Sequence, residues 1–442
     1  MKLNILLFCD KPKKSKNANT ILDHISAFEQ YSEHNILIYS MLRDIPPKLD
    51  LNKFDVIIVH YTLSLLYEYY ISSLSKNKLR EFNGLKVLFV QDEYRQINKM
   101  ITEINFINFD ILFTCFPSSE IERIYPTSKL PNLVKYNNLT GYVPENLVGI
   151  SSYERSSERK IDVGYRGRKI PFWLGELAYE KCSIVDQWKK YTANANLIMD
   201  ISYHEDDRIY GEKWIQFLTS CKTTLGVESG ASVMDFTGRL EKIIDFHQKT
   251  FPEDSFYDVQ KYYLTEHEGK YKLNQISPRC FEAIALKTVL ILYEGEYSGV
   301  LIPGRHYISL KKDFSNINKV LDAIKDNDFL QQMGERAYNE IVLSSQYSYQ
   351  SFIKRVDQIV ASEFIARDKN KVNSYNYEEL LQEVLFSQSK ESYVCSNHDP
   401  GKINKTVSHS ILSLLKRLII KIKILNSFVQ IIQKLLIKSR HL

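Results

Sequence analysis

Several kinds of chemistry are missing from this chain of 442 residues before any motif is sought. Its six cysteines (Cys9, Cys115, Cys182, Cys221, Cys280 and Cys395) are scattered, with no CxxC or CxxxC spacing. Neither a zinc site nor a disulfide framework is implied, and a reducing compartment is expected. No uncharged apolar stretch approaches the roughly 20 residues that span a bilayer, so no integral membrane segment is expected. The opening MKLNILLFCD holds a short apolar run that meets Asp10. It is too short for a signal-peptide core, lacks a small-residue cleavage site and reads as a first buried strand. There is no Gly-x-Ser-x-Gly elbow, no HExxH and no P-loop, and the Gly-x-Gly spellings lack the full dinucleotide fingerprint.

Acidic residues are absent from one region. Residues 401–442 contain nine Lys and Arg and no Asp or Glu, so 1–400 carries 49 basic against 53 acidic residues, a net of −4 beneath an overall +5. The positive charge belongs to the tail, which argues against a nucleic-acid-binding body and for an anionic partner at the C-terminus. Hydrophobic residues at 44% and charged residues at 25% are ordinary for a globular chain with a sizeable core. At roughly 100–200 residues per domain, the length predicts two domains plus extras.

The N-terminal third alternates continuous apolar runs with helical spacing. The runs are Asn4–Cys9, Asp55–His60, Lys86–Val90 and Asp110–Cys115, with helices expected over Thr20–Tyr31 and Leu63–Leu74. Unbroken apolar runs mark buried parallel strands, covered on both faces by helices. A second series follows at Lys160–Gly164, Asn196–Ile201, Thr223–Val227, Thr288–Leu292 and His306–Leu310, with helices expected over Gly211–Ser220 and Ser277–Leu286. Between the series, 137–160 has linker composition. The fold class predicted is α/β: two tandem doubly wound Rossmann-like domains at 1–150 and 158–348, a closing helix at 349–366, a polar linker at 367–404 and a basic amphipathic helix at 405–442. Ligands of such sheets sit at the carboxyl ends of the strands.

Asn274–Gly304 is the most informative stretch. Ser277 is a good N-cap and Pro278 suits the first helical position, so a helix should open there with its N-terminus facing a cleft. Free amides and the positive helix end favour an anion, and Arg279 adds a fork suited to phosphate. Glu282 lies one turn further in. Glu294 and Glu296 follow the next strand, and Tyr297-Ser298-Gly299 makes a tight polar loop. Asp162–Lys169 (DVGYRGRK) sets two glycines among cations, so that backbone can approach a diphosphate while Arg166 and Arg168 neutralise it. Leu225–Ser232 is a strand followed by small residues, placing Glu228 and Ser229 at a pocket, and His204–Arg208 is a charged loop after another strand. In the first domain His60, Asp92 and Glu93 follow strands, and each is a candidate base. A core role for His60 and a helix cap for Asp92 are the competing readings; Asp92 is preferred as the base, then Glu93.

Ser277–Thr288 resembles the donor-binding helix of GT-B-fold glycosyltransferases of the group-1-like bacterial kind, including the spore-maturation type. The resemblance covers both domains in layout and about 160–345 in motifs. It implies a Glu on this helix contacting the donor ribose, which Glu282 matches. Retaining members place a second Glu eight residues earlier, where this chain has Asn274. It also implies a nucleoside-diphosphate sugar as co-substrate and no bound metal or other cofactor. Asp326-Asn327-Asp328 spells the Asp-x-Asp of metal-dependent glycosyltransferases, yet its place between two helical segments favours capping. The expectation is a cytoplasmic, peripherally membrane-associated glycosyltransferase acting on a glycan or lipid-linked acceptor. The donor-binding residues would be Arg166, Arg168, Glu228, Ser229, Ser277, Arg279, Glu282, Glu294, Glu296, Tyr297 and Ser298. A nucleotide-sugar epimerase and a non-catalytic sugar-nucleotide binder are the alternatives.

In the tail, apolar residues recur at three-to-four spacing from Ile411 to Leu436, with Lys416, Arg417, Lys423, Lys434 and Lys438 mostly on other faces. Such a helix suits an anionic membrane surface. A packing or dimerisation helix is the rival reading.

Overall fold

The computed structural model describes residues 2–12, 19–150, 156–367 and 375–391. The apolar runs of the N-terminal third become strands buried on both faces, because helices cover them from either side. In chain order the elements are β1 (Asn4–Cys9), α1 (Asn19–Tyr31), β2 (Asn35–Ser40), β3 (Val56–Val59), α2 (Ser73–Glu81), β4 (Leu85–Phe89), α3 (Ile97–Ile107), β5 (Ile111–Thr114), α4 (Ser118–Ile124) and β6 (Val134–Asn137). All six strands pair in parallel, in the order β2-β1-β3-β4-β5-β6.

A second unit runs through β7 (Ile161–Arg166), α5 (Glu176–Tyr191), β8 (Met199–Ser202), α6 (Glu212–Ser220) and β9 (Cys221–Gly226). After β9 come β10 (Ser229–Ala231), α7 (Arg239–Thr250), α8 (Phe256–Val259) and β11 (Leu273–Gln275), with β10 and β11 forming an antiparallel pair. The unit then resumes with α9 (Pro278–Ala285), β12 (Val289–Tyr293), β13 (Tyr307–Leu310), α10 (Ile317–Lys325) and α11 (Asn327–Ala337). Its five parallel strands lie in the order β13-β12-β9-β7-β8. The protein is therefore α/β with two doubly wound sheets, as the alternating pattern predicts. Each sheet reverses its winding next to its first strand, between β1 and β3 in one and between β7 and β9 in the other. Those reversals open the crevices in which ligands of this architecture bind.

The two sheets are joined by more than the connecting chain. The excursion between β10 and β11 places Val233, Met234, Ile244 and Phe256 in the same apolar core as Val59, Leu88 and Leu112 of the first sheet. The Asp235 amide donates to the Tyr94 carbonyl at 2.8 Å, the Asn98 amide to the Phe236 carbonyl at 3.0 Å, and Arg95 pairs with Glu241 at 3.3 Å. The helix expected at 349–366, now α12 (Tyr349–Ala366), returns to the first unit, where Phe352, Ile353 and Val356 pack with Ile5, Phe89 and Phe113.

Three sequence-based expectations change. Leu63–Leu74 is not a helix: Leu63, Leu65, Leu66 and Ile71 are buried from a wrapped loop, and helix begins only at Ser73, where the Ser72 hydroxyl caps the Ser75 amide. Helical spacing of apolar residues there reflects burial against the sheet rather than a helical turn. Within 137–160 the composition suggests a loose linker, yet Asn138, Thr140, Tyr142 and Val143 are buried, and the Thr140 hydroxyl donates to the Ile276 carbonyl at 2.5 Å. Part of 367–404 is also ordered: α13 (Tyr377–Glu391) lies against the edge strand β2, with Gln388 donating to the Ile38 carbonyl and Lys53 pairing with Glu383. The amphipathic segment expected at 405–442 lies outside the described residues.

Candidate functional site

The carboxyl ends of the two sheets face each other across a crevice of about 550 Å³. Asp10 and Thr62, at the winding reversal of the first sheet, line one side; Arg166 and Gly167, at the reversal of the second, line the other. A recess of about 370 Å³ continues into the second unit, where Gly226 and Val227 close its floor. A smaller chamber of about 120 Å³ lies between the units, bounded by Asp92, Gln91 and Tyr94 on one side and by Arg168, Lys181 and Ser229 on the other.

The second unit supplies the cations. Helix α9 opens as the sequence predicts: Ser277 has the extended N-cap conformation and Pro278 occupies the first turn. The Ser277 hydroxyl makes no capping bond, so it is free to face the crevice it lines. Arg279 is exposed, stands 5.1 Å from the Trp214 ring and donates to the Arg166 carbonyl. Arg166 itself is committed: it pairs with Asp200 at 2.9 Å, donates to the Asp200 carbonyl at 3.0 Å and covers the Phe217 ring. Its role is to shape the wall, and Arg279 and Arg168 are the arginines left for a ligand. Arg168 is exposed and makes no ion pair among the described residues. Lys181, on α5, also lines the recess and the chamber; burial draws its ammonium down to about 8, against the pull of Asp92.

Glu282 sits behind this wall. It is buried, accepts the Trp214 indole N–H at 2.7 Å, and burial pushes its carboxyl up to about 7, with the indole bond and Arg279 acting the other way. Near neutrality it is poised between acid and carboxylate, and it still borders the crevice.

Other residues singled out in the second unit build the loops instead of facing the crevice. Buried Glu228 accepts from the Glu296 amide at 3.0 Å, the Tyr297 amide at 2.8 Å and Asn274 Nδ2 at 2.6 Å. A Cβ at Gly295 would come within 2.7 Å of the Glu228 carboxyl carbon, so a side chain there would push on the carboxylate that ties this loop. Tyr297 and Ser298 both take left-handed backbone, with φ of 43° and 55°. The Tyr297 hydroxyl donates to the Tyr293 carbonyl, and the Ser298 hydroxyl accepts from the Ile276 amide just before α9. Glu294 accepts from Ser309, and Glu296 pairs with Lys272 at the surface. Of this group only Ser229 lines the recess and the chamber.

The first unit resolves the three candidate bases by geometry. Asp92, at φ 56°, turns out of the strand end and lines both the crevice and the chamber. Glu93 turns inward, accepting from the Thr114 hydroxyl at 2.6 Å, the Tyr125 hydroxyl at 2.6 Å and the Cys115 amide at 2.7 Å. Burial pushes it up to about 7 despite those bonds. His60 is fully buried; its Nδ1 accepts the Thr62 amide, so its Nε2 carries the proton and donates to His24 Nδ1 at 3.0 Å. Burial, then His24, holds His60 well below the usual histidine range. His60 and Glu93 are thus positioned as core groups, and only Asp92 reaches a space that a substrate could enter.

Trp214, Tyr210 and Lys181 escape a sequence reading. Each lies on a helix or loop with no motif spelling, and only the fold brings them to the ends of β7 and β9. The amphipathic pattern of α6 marks Trp214 as a buried residue without revealing that its indole N–H serves Glu282.

No protein-family model matches the chain, and no curated protein matches it significantly. Similar solved structures include an α-glucosyltransferase in complex with UDP and a 13-mer DNA, at 11% identity and a TM-score of 0.47, covering 82% of this chain and 100% of that one. Anabaena Alr3699/HepE in complex with UDP and glucose matches at 11% identity and 0.46, covering 81% and 100%. TarM matches at 13% and 0.37, covering 71% and 56%. Scores this low carry no weight for activity, which is read from the side chains of the site itself.

Proposed function

We propose that the protein is a glycosyltransferase that takes a sugar from a nucleoside-diphosphate donor. The observation that carries this reading is the pairing, across one crevice, of a cationic wall at the start of α9 with Asp92, the carboxylate that lines both the crevice and the chamber. The diphosphate lies against Arg279, Arg168 and the Ser277 end of the helix, where fixed donors and cations stabilise the charge that develops as the sugar leaves. The nucleoside occupies the recess beside Trp214 and Tyr210, with Glu282 reaching the ribose. Asp92 accepts the proton of the acceptor hydroxyl, which enters from the first unit. The arginines and the helix end supply the leaving-group charge in this scheme, so activity should persist in EDTA.

The acceptor is a glycan or a lipid-linked glycan at the inner membrane face, a proposal supported by the basic amphipathic sequence of 411–438. No described helix is long and apolar enough to cross a membrane. Vesicles of anionic and neutral lipid should separate the cases: the full chain should sediment with the anionic ones, and a chain ending at Glu391, which keeps α13 on β2, should not. Equal binding by both ends the membrane proposal.

The activity test incubates the protein with UDP-, GDP-, ADP-, CMP- and dTDP-sugars and an oligosaccharide acceptor, and measures released nucleotide and sugar identity. Transfer releases nucleoside diphosphate with a glycosylated acceptor. An altered sugar on intact donor identifies an epimerase, and tight binding without turnover a non-catalytic binder; either result overturns the proposed transfer.

A further inference from the structure

Among the described cations that line the recess, Lys181 is only partly exposed, whereas Arg168 and Arg279 are exposed. Lys181 projects from α5 into the boundary shared by the recess and the chamber. No hydrogen bond or ion pair to its amine occurs among the described residues; the Tyr165 hydroxyl, from β7, donates to its carbonyl instead. The groups whose charge bears on the amine come from four elements: Asp92 across the chamber, Arg168 from the loop after β7, Arg279 from α9, and Cys182 on its own helix. Tyr94 and Tyr165 border the same space, and burial raises both phenols above the ordinary range. Two cations and a partly dry setting therefore oppose one carboxylate.

A half-buried ammonium beside two guanidiniums is an arrangement that an anion would complete. Resting on the donor reading above, we propose that Lys181 is the third cation of the diphosphate site, and that nucleoside-diphosphate binding above neutrality is coupled to uptake of a proton onto its amine. The step is an acid–base one: the neutral amine takes a proton from buffer, becomes ammonium and meets the phosphate oxygens as they enter. The free amine titrates near 8; a bound diphosphate favours the charged form and moves that value upward. The sign follows. Below about 7 the amine is already charged and binding moves no proton, whereas above about 8 binding must supply one and weakens as pH rises.

The test is calorimetric titration of UDP, GDP, ADP, CDP and dTDP into the full chain at pH 7 and pH 8.5, each in two buffers of different ionisation enthalpy. For whichever nucleotide binds, the expected uptake is on the order of three-quarters of a proton at pH 8.5, falling to about a tenth at pH 7. Lys181→Arg should bind with little uptake, because guanidinium stays charged. Lys181→Met should bind at least about tenfold more weakly at pH 7, the loss expected for a hydrogen bond to a charged group. Uptake that persists in Lys181→Arg, or binding without uptake in the native protein, overturns the assignment of Lys181 while leaving the nucleotide site standing. Failure of every nucleotide to bind overturns the donor reading along with it.

Discussion

The two walls of the crevice divide the charge between them. Among the described residues that line it, the first unit contributes Asp10 and Asp92 with hydroxyls and amides but no Lys or Arg, whereas the second contributes Arg166, Arg168, Arg208, Arg279 and Lys181 against the single buried carboxyl of Glu282. Segregation of this kind suits a reaction in which an anion departs on one side and a proton is accepted on the other. It also shows that position in the fold, more than residue type, sets the role. Asp92 and Glu93 are adjacent carboxylates, and the left-handed turn at Asp92 sends one outward while the next is gripped by Thr114, Cys115 and Tyr125.

The division of roles between the walls is most exposed to test at Asp92. Replacing it by Asn should lower kcat by about 10²–10⁴-fold, the range for loss of a general base, and leave nucleotide affinity within about twofold. An unchanged kcat would remove Asp92 from the chemistry. On the opposite wall, Arg279→Ala should weaken nucleoside-diphosphate affinity by about 1.5–3 kcal/mol. That loss should shrink as salt rises, since Arg279 is exposed.

A subtler contrast concerns the two buried carboxyls, Glu93 and Glu282, both pushed up to about 7 from a usual 4.5. A raised carboxyl stabilises the fold fully below about 4.5, and that contribution is lost as pH rises through about 7. Thermal midpoints should therefore fall across pH 5–7.5, and Glu93→Gln should reduce the slope, because Gln cannot ionise. An identical slope in the variant would show that Glu93 does not titrate in this window. The smallest effect is expected at the surface: Glu296→Gln removes only an exposed pair with Lys272 and should change donor affinity by less than about 0.5 kcal/mol.

Much of the fold is legible in the sequence, because parallel strands covered on both faces must be continuous apolar runs. Edge strands are read unevenly, since the expected runs include β8 and β13, the edges of the second sheet. The expected runs omit β2 and β6, and the four residues of β6 are only half-buried. The Leu63–Leu74 spacing misleads because a loop folded onto the sheet buries Leu63, Leu65, Leu66 and Ile71 without a helical turn. At the site, Ser277-Pro278-Arg279 is legible since capping and phosphate chemistry are local. Glu228 and Ser298 are not, because a carboxylate that closes a loop and one that meets a sugar look alike until the partners, here the amides of Glu296, Tyr297 and Ile276, are in place. Lys181 has no local signature, and its setting arises only where α5, α9 and the Asp92 loop converge.

Whether the nucleoside diphosphate lies on the second unit's wall is decided by paired binding isotherms for Arg279→Ala and Asp92→Asn. A loss of about tenfold or more is expected in the first variant and native affinity in the second. Native affinity in Arg279→Ala, or a larger loss in Asp92→Asn, would contradict that placement.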